Sequence, residues 1–179
     1  MSIIHIVDEI FYFSSPLLVG IGIIAWVVGL IAEIKRRRTK DISERAPARK
    51  LFFAGGIIFT GTIILMFLMV DVVKWQARKE IGMLLVAEIT SVQVNRQAMA
   101  NSVQFVTDMR KIRNSIDVYH HSHPTKNFEV MIQTSKGNLK LNLARDSGYP
   151  QEYWIFYPSY KVTSSNDIGK ILTTTLDEY

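Results

Sequence analysis

The chain has 179 residues, 48% of them hydrophobic, with 21 Lys or Arg against 16 Asp or Glu and no cysteine. That length is about one domain's worth, and the absent cysteines exclude a disulfide framework and a cysteine nucleophile. All of the surplus positive charge lies in residues 33–50, "EIKRRRTKDISERAPARK", which hold eight bases and three acids, so the sequence pI near 9.5 is a local property and no sign of nucleic-acid binding.

Residues 1–9 form a short tail without Lys or Arg that ends in Asp8 and Glu9. A secretory signal carries a basic start and a small-residue cleavage site, and this tail has no basic residue and ends in two acids. Residues 10–32 are 23 positions without a charge, and residues 51–70 are 20 more. About 20 apolar residues in a helix cross the ~30 Å hydrocarbon core, and only helices or closed barrels satisfy their backbone there. The sequence therefore predicts transmembrane helices over 10–34 and 51–73, joined by a basic loop over 35–50. Short loops rich in Lys and Arg stay in the cytoplasm. This places the loop inside and both termini outside, in a bacterial-type inner membrane. Lys35, Arg36, Arg37, Arg38 and Lys40 are the expected contacts to anionic headgroups.

Both spans carry small residues four apart, Ala25 with Gly29 and Gly56 with Thr60. Such spacing lets helices approach closely in lipid, either within the hairpin or between copies in a homo-oligomer. Neither span has a mid-depth charge, which argues against an ion or proton path. Residues 74–85 leave the membrane as a juxtamembrane helical segment, with Trp75 at the interface.

Residues 86–179 read as a small domain. "LVAEITSVQV" is rich in β-branched residues, as a strand requires. Phe105, Met109, Ile112 and Ile116 step by four, three and four, a helical stripe, with Arg110, Lys111 and Arg113 off it toward solvent. "FEVMIQT" and "LKLNLA" alternate across "SKGN", a hairpin with Phe128, Val130, Ile132, Leu139, Leu141 and Leu143 on one face. "EYWIFYPSYKVTS" is a third strand, stopped or bent at Pro158. "SSNDIGKILTTTLDEY" ends in a short helix capped by Ser165 or Asn166. The expected fold is thus a membrane protein with a two-helix transmembrane hairpin followed by a small α+β domain, its helix packed on an antiparallel sheet.

Two stretches bear chemistry. "YHHSHP" places His121 and His123 on one face of an extended chain beside His120, a weak metal-ligand candidate that needs three or four ligands and to which Glu129 or Asp117 could add a carboxylate. Residues 149–160 hold six aromatics. With Trp154 and Phe156 assigned to the core, Tyr149, Tyr153, Tyr157 and Tyr160 join Arg145 in an expected recognition surface, since Tyr and Arg are enriched at protein interfaces. Arg145 and Asp146 before Ser-Gly suit an Asx-type turn with a local ion pair. No phosphate-cradling loop, G-x-S-x-G or H-E-x-x-H is present. The expected function is binding without catalysis and without a cofactor. Its partners are the lipid bilayer and a protein or envelope ligand outside the cytoplasm, in the manner of an accessory subunit or an immunity or exclusion factor. The alternative is a membrane effector whose domain senses a ligand in the cytosol while the spans oligomerise.

Overall fold

A computed structural model describes residues 3–38, 42–112 and 123–179. Two long apolar helices precede a six-stranded antiparallel sheet with short helices, α1 (Ile3–Arg38), α2 (Ile42–Leu85), β1 (Ile89–Val94), β2 (Gln97–Ala98), α3 (Ser102–Met109), β3 (Pro124–Thr134), β4 (Gly137–Asp146), β5 (Glu152–Phe156), α4 (Lys161–Ser165) and β6 (Gly169–Leu172). The chain forms two compact units, Glu9–Asp71 and Met1–Asp8 together with Val72–Tyr179.

Within the first unit both helices are long and apolar enough to cross a membrane. Helix occupies residues 35–38 and 42–50, so most of the expected basic loop is helical. Its cations extend the last turn of α1, where the helix dipole favours positive charge. There Arg36 and Arg37 both bond Glu33. Pro16 lies inside α1 and cannot donate to the carbonyl one turn back. The Ser15 hydroxyl donates to that Tyr12 oxygen instead, at 3.0 Å, the kind of repair that lets proline survive in an apolar setting.

The helices pack antiparallel through small residues. Gly29 backs onto Phe52, Gly55 onto Ala25, and Gly22 onto Phe59 and Thr62. The rings of Trp26 and Phe59 lie 5.8 Å apart. The expected Ala25–Gly29 pair is therefore in the contact, but its counterpart is Gly55. Gly56 and Gly61 have open space where a side chain would go. Most large apolar side chains of the pair point outward, Phe13 and Ile57 each 72% exposed. Continuous apolar exposure on this scale is foreign to a water-facing monomer.

In the second unit the sheet order is β2-β1-β3-β4-β5-β6. The β3–β4 hairpin forms in the expected register, Phe128 opposite Leu143, Val130 opposite Leu141 and Ile132 opposite Leu139. All six are buried. Its turn needs Gly137, whose φ of 142° lies where other residues are strained. The Thr134 hydroxyl donates to Gly137 O and accepts from Lys136 N–H. β1 and β2 form a two-residue hairpin through Asn95 and Arg96, with φ of 50° and 69°. A type I′ turn takes this conformation, and asparagine tolerates it.

Three expectations for this domain are corrected. α3 spans only Ser102–Met109, so the expected helical stripe stops at Met109. Ile112 lies beyond its end, and Ile116 and Arg113 fall outside the described residues. The C-terminal "short helix" is strand β6, with Ile171 paired to Tyr153. Gly169 and the threonine run disfavour helix, and a partner strand was waiting. Finally, residues 74–85 do not stand apart from the domain. Val73, Ala77, Ile81 and Leu85 recur every four residues and are buried. Arg110 leaves the solvent side expected of it to donate twice to Leu85 O, at 3.1 and 2.7 Å, capping the end of α2.

Candidate functional site

Strand β5 decides which face of the sheet meets solvent. Leu143 pairs with Ile155 and Arg145 with Tyr153, so Tyr153 and Ile155 share the core face. Trp154 and Phe156 stand opposite, on the outer face. This reverses the expected assignment. Tyr153, Tyr157 and Tyr160 are all buried, at 0, 3 and 1% exposure. Of the tyrosines expected on a recognition surface, Tyr149 is exposed.

Each buried phenol is placed by polar partners. Tyr157 and Tyr160 donate to the two oxygens of Glu80, at 3.0 and 2.9 Å. Arg145 Nη2 bonds both Tyr153 Oη and Asp177, at 2.6 Å each. Burial pushes the Tyr157 hydroxyl up to about 12. Burial, then the Glu80 bond, pushes Tyr160 up as well. The His5 ring stacks on Tyr160 at 4.4 Å. Asp8, one turn further on, accepts from Lys161 N and Val162 N at 2.5 and 3.0 Å. The N-terminal turns of α1 and the C-terminal turns of α2 are thus bonded to the domain by side chains that no motif marks. The acidic pair Asp8 and Glu9 ahead of an apolar run was the signal for Asp8, and a lone Glu80 among bases the signal for the tyrosines.

The outer face carries two features side by side. One is a charged cluster. Lys170 pairs with Asp146 at 3.2 Å and also with Glu152. It sits 4.3 Å above the Trp154 ring. Trp154 Nε1 donates to Asp146 Oδ2 at 2.8 Å, and Asp146 Oδ1 accepts from Gly148 and Tyr149 N–H. The expected Asx turn is therefore present, while the expected local ion pair is not. Asp146 pairs across the sheet, and Arg145 with Asp177. Burial opposes the Lys170 charge, but its two carboxylates outweigh burial and raise its pKa.

The second feature is a groove of 590 Å³. Glu129, Asn142 and Phe156 form one transverse row across β3, β4 and β5. Asn127 sits in the neighbouring row with Ala144 and Trp154. Asn95 closes one side, held by Glu129 N–H on its Oδ1 at 3.0 Å and by its own N–H on Glu129 O at 2.8 Å. Ser164 and Ser165, at the end of α4, close the other. Phe156 is half-buried, and the asparagines and serines are exposed. Glu129 is paired with Lys140 at 2.7 Å, and that bond and charge lower its pKa.

The remaining sequence candidates lie elsewhere. His123 is exposed, and His120, His121 and Lys40 fall outside the described residues. Among the described residues no cluster of three or more His, Asp or Glu has metal-site geometry. Lys35, Arg37 and Arg38 are exposed at the end of α1. Trp75 is 56% exposed, with the Lys79 ammonium 5.2 Å from its ring. No family model, curated protein or solved structure matches the chain.

Proposed function

We propose that this chain is a membrane-anchored binding protein, with its helical pair in the bacterial inner membrane and its α+β domain outside the cytoplasm. The observation that carries the reading is the outward-facing apolar surface of the helical pair, which water does not tolerate and lipid does. The Asp8 bonds to Lys161 and Val162 support a domain on the same side of the bilayer as the N-terminus. The basic residues between the helices then lie on the opposite, cytoplasmic side, against anionic headgroups. The domain binds a protein or envelope ligand rather than catalysing a reaction, and the outer sheet face around Trp154 and Phe156 takes the place first given to the tyrosines. An accessory subunit of an envelope complex or an immunity or exclusion factor fits this arrangement.

The natural absence of cysteine makes the test direct. Ser2→Cys, Lys40→Cys and Glu178→Cys variants are treated in intact cells with a maleimide that cannot cross the inner membrane. Positions 2 and 178 should react, and position 40 only after lysis. The opposite pattern would move the domain to the cytosol and favour a ligand-sensing membrane effector.

A further inference from the structure

We propose that the groove on the outer sheet face binds a neutral glycan, with Phe156 as the stacking surface and the amides of Asn127 and Asn142 as its hydrogen-bonding partners. The proposal rests on the binding role given above and names the ligand class for it.

The lining selects this chemistry by elimination and by fit. Its one charged lining group among the described residues, Glu129, is already paired with Lys140. No cation among the described residues lines the groove to receive a phosphate or carboxylate, and such ligands are ordinarily held by Arg, Lys or clustered N–H groups. A purely apolar ligand fits no better, because Asn95, Asn127, Asn142, Ser164 and Ser165 would be stripped of water without replacement. Among the described residues, the side chains of Asn127 and Asn142 make no hydrogen bond, so each offers both donors and an acceptor. A sugar ring answers both demands at once. Its C–H face lies on an aromatic ring, and its hydroxyls donate and accept around the edge.

The position of the residues favours recognition as well. Phe156 and Asn142 are paired positions of adjacent strands, and Asn95 is fixed by a tight turn and two bonds to Glu129. Strand pairing thus sets the backbone positions from which the Asn142 and Phe156 side chains reach the groove. The volume of 590 Å³ lies within the usual range for small-ligand sites. The surface-open form admits a chain that continues past the site.

The test uses the full chain in a zwitterionic detergent, since maltoside headgroups are themselves neutral glycans. Chitotetraose, maltotetraose and, as a charged comparator, a heparin tetrasaccharide are titrated by calorimetry. At least one neutral tetrasaccharide should bind, and the heparin fragment should bind more weakly. Phe156→Ala should weaken the neutral ligand about tenfold or more, and Asn142→Ala should weaken it too while leaving thermal stability unchanged. Asn142→Ala keeps the test decisive if loss of Phe156 impairs folding. Silence from both neutral ligands at millimolar concentration overturns the proposal, as does binding that ignores both substitutions. Binding in detergent does not depend on orientation. A failure here alongside the expected maleimide pattern therefore rejects the ligand class alone, and a reversed pattern rejects the placement alone.

Discussion

Gly55 and Gly56 are adjacent in sequence and face opposite surroundings. A Cβ on Gly55 would sit 2.3 Å from the Ala25 carbonyl oxygen, while one on Gly56 would meet nothing within 4 Å. Gly55→Ala should therefore cost about 1–3 kcal/mol, the usual range for overpacking, and Gly56→Ala should cost almost nothing. Unfolding of each variant by a denaturing detergent measures the difference, and equal effects would show that the helices do not meet at Ala25. Tyr157 gives a second residue-level outcome through its proton. Its folded pKa is raised from 10.0 to about 12, so the native state holds that proton more tightly than the unfolded chain. The stability this represents is complete below pH 10 and is lost as pH climbs toward 12. Tyr157→Phe removes that part of the alkaline loss, though it leaves Glu80 with one donor fewer. Unfolding midpoints across alkaline pH should thus fall less steeply for Tyr157→Phe than for the natural chain, and parallel curves would contradict the burial of this hydroxyl.

At the scale of elements, β5 shows what periodicity decides and what it leaves open. Alternation separates Tyr153 and Ile155 from Trp154 and Phe156, because strand side chains alternate. It does not say which set goes inside, and both sets here are apolar enough to be buried. The choice was made by partners distant in sequence. Glu80, Arg145 and Asp177 satisfy the tyrosine hydroxyls within the domain, while Lys170 and Asp146 engage Trp154 on the outer face. Tyr153→Ala should therefore cost about 3–5 kcal/mol, as removal of a buried aromatic does, and Trp154→Ala distinctly less. Chemical denaturation of the two variants decides the assignment, and a larger loss at Trp154 would restore the opposite face. The β3–β4 hairpin was legible because one face alone is apolar and Gly137 marks its turn. The helical stripe of α3 was legible too, though not its end at Met109, and β6 was not, since a short apolar run suits helix and strand alike. The groove was invisible for a related reason. Asn95, Asn127, Asn142 and Ser164 are ordinary surface residues until strand register sets them around Phe156.

For the whole molecule, the bonds between the first helix and the domain matter most, because they join positions more than 150 residues apart. If the apolar stretches cross a bilayer, an even number of crossings returns the chain to its starting side, and residues 3–8 can remain on the domain. An odd number would put the ~30 Å hydrocarbon core between them. His5 stacks on Tyr160, and Lys161 follows it on the exposed side of α4. A His5→Cys, Lys161→Cys variant treated in membranes with a short bis-maleimide should therefore give one intramolecular product that migrates anomalously on a denaturing gel. Asp8→Ala removes the carboxylate that holds the Lys161 and Val162 N–H groups at the start of α4, a cap ordinarily worth about 0.5–2 kcal/mol. It should lower the yield without changing membrane insertion. A product that forms only between chains, or none at all while both cysteines remain reactive, would mean that the N-terminal turns do not lie on the domain. The same-side argument for the topology would then lose its structural support.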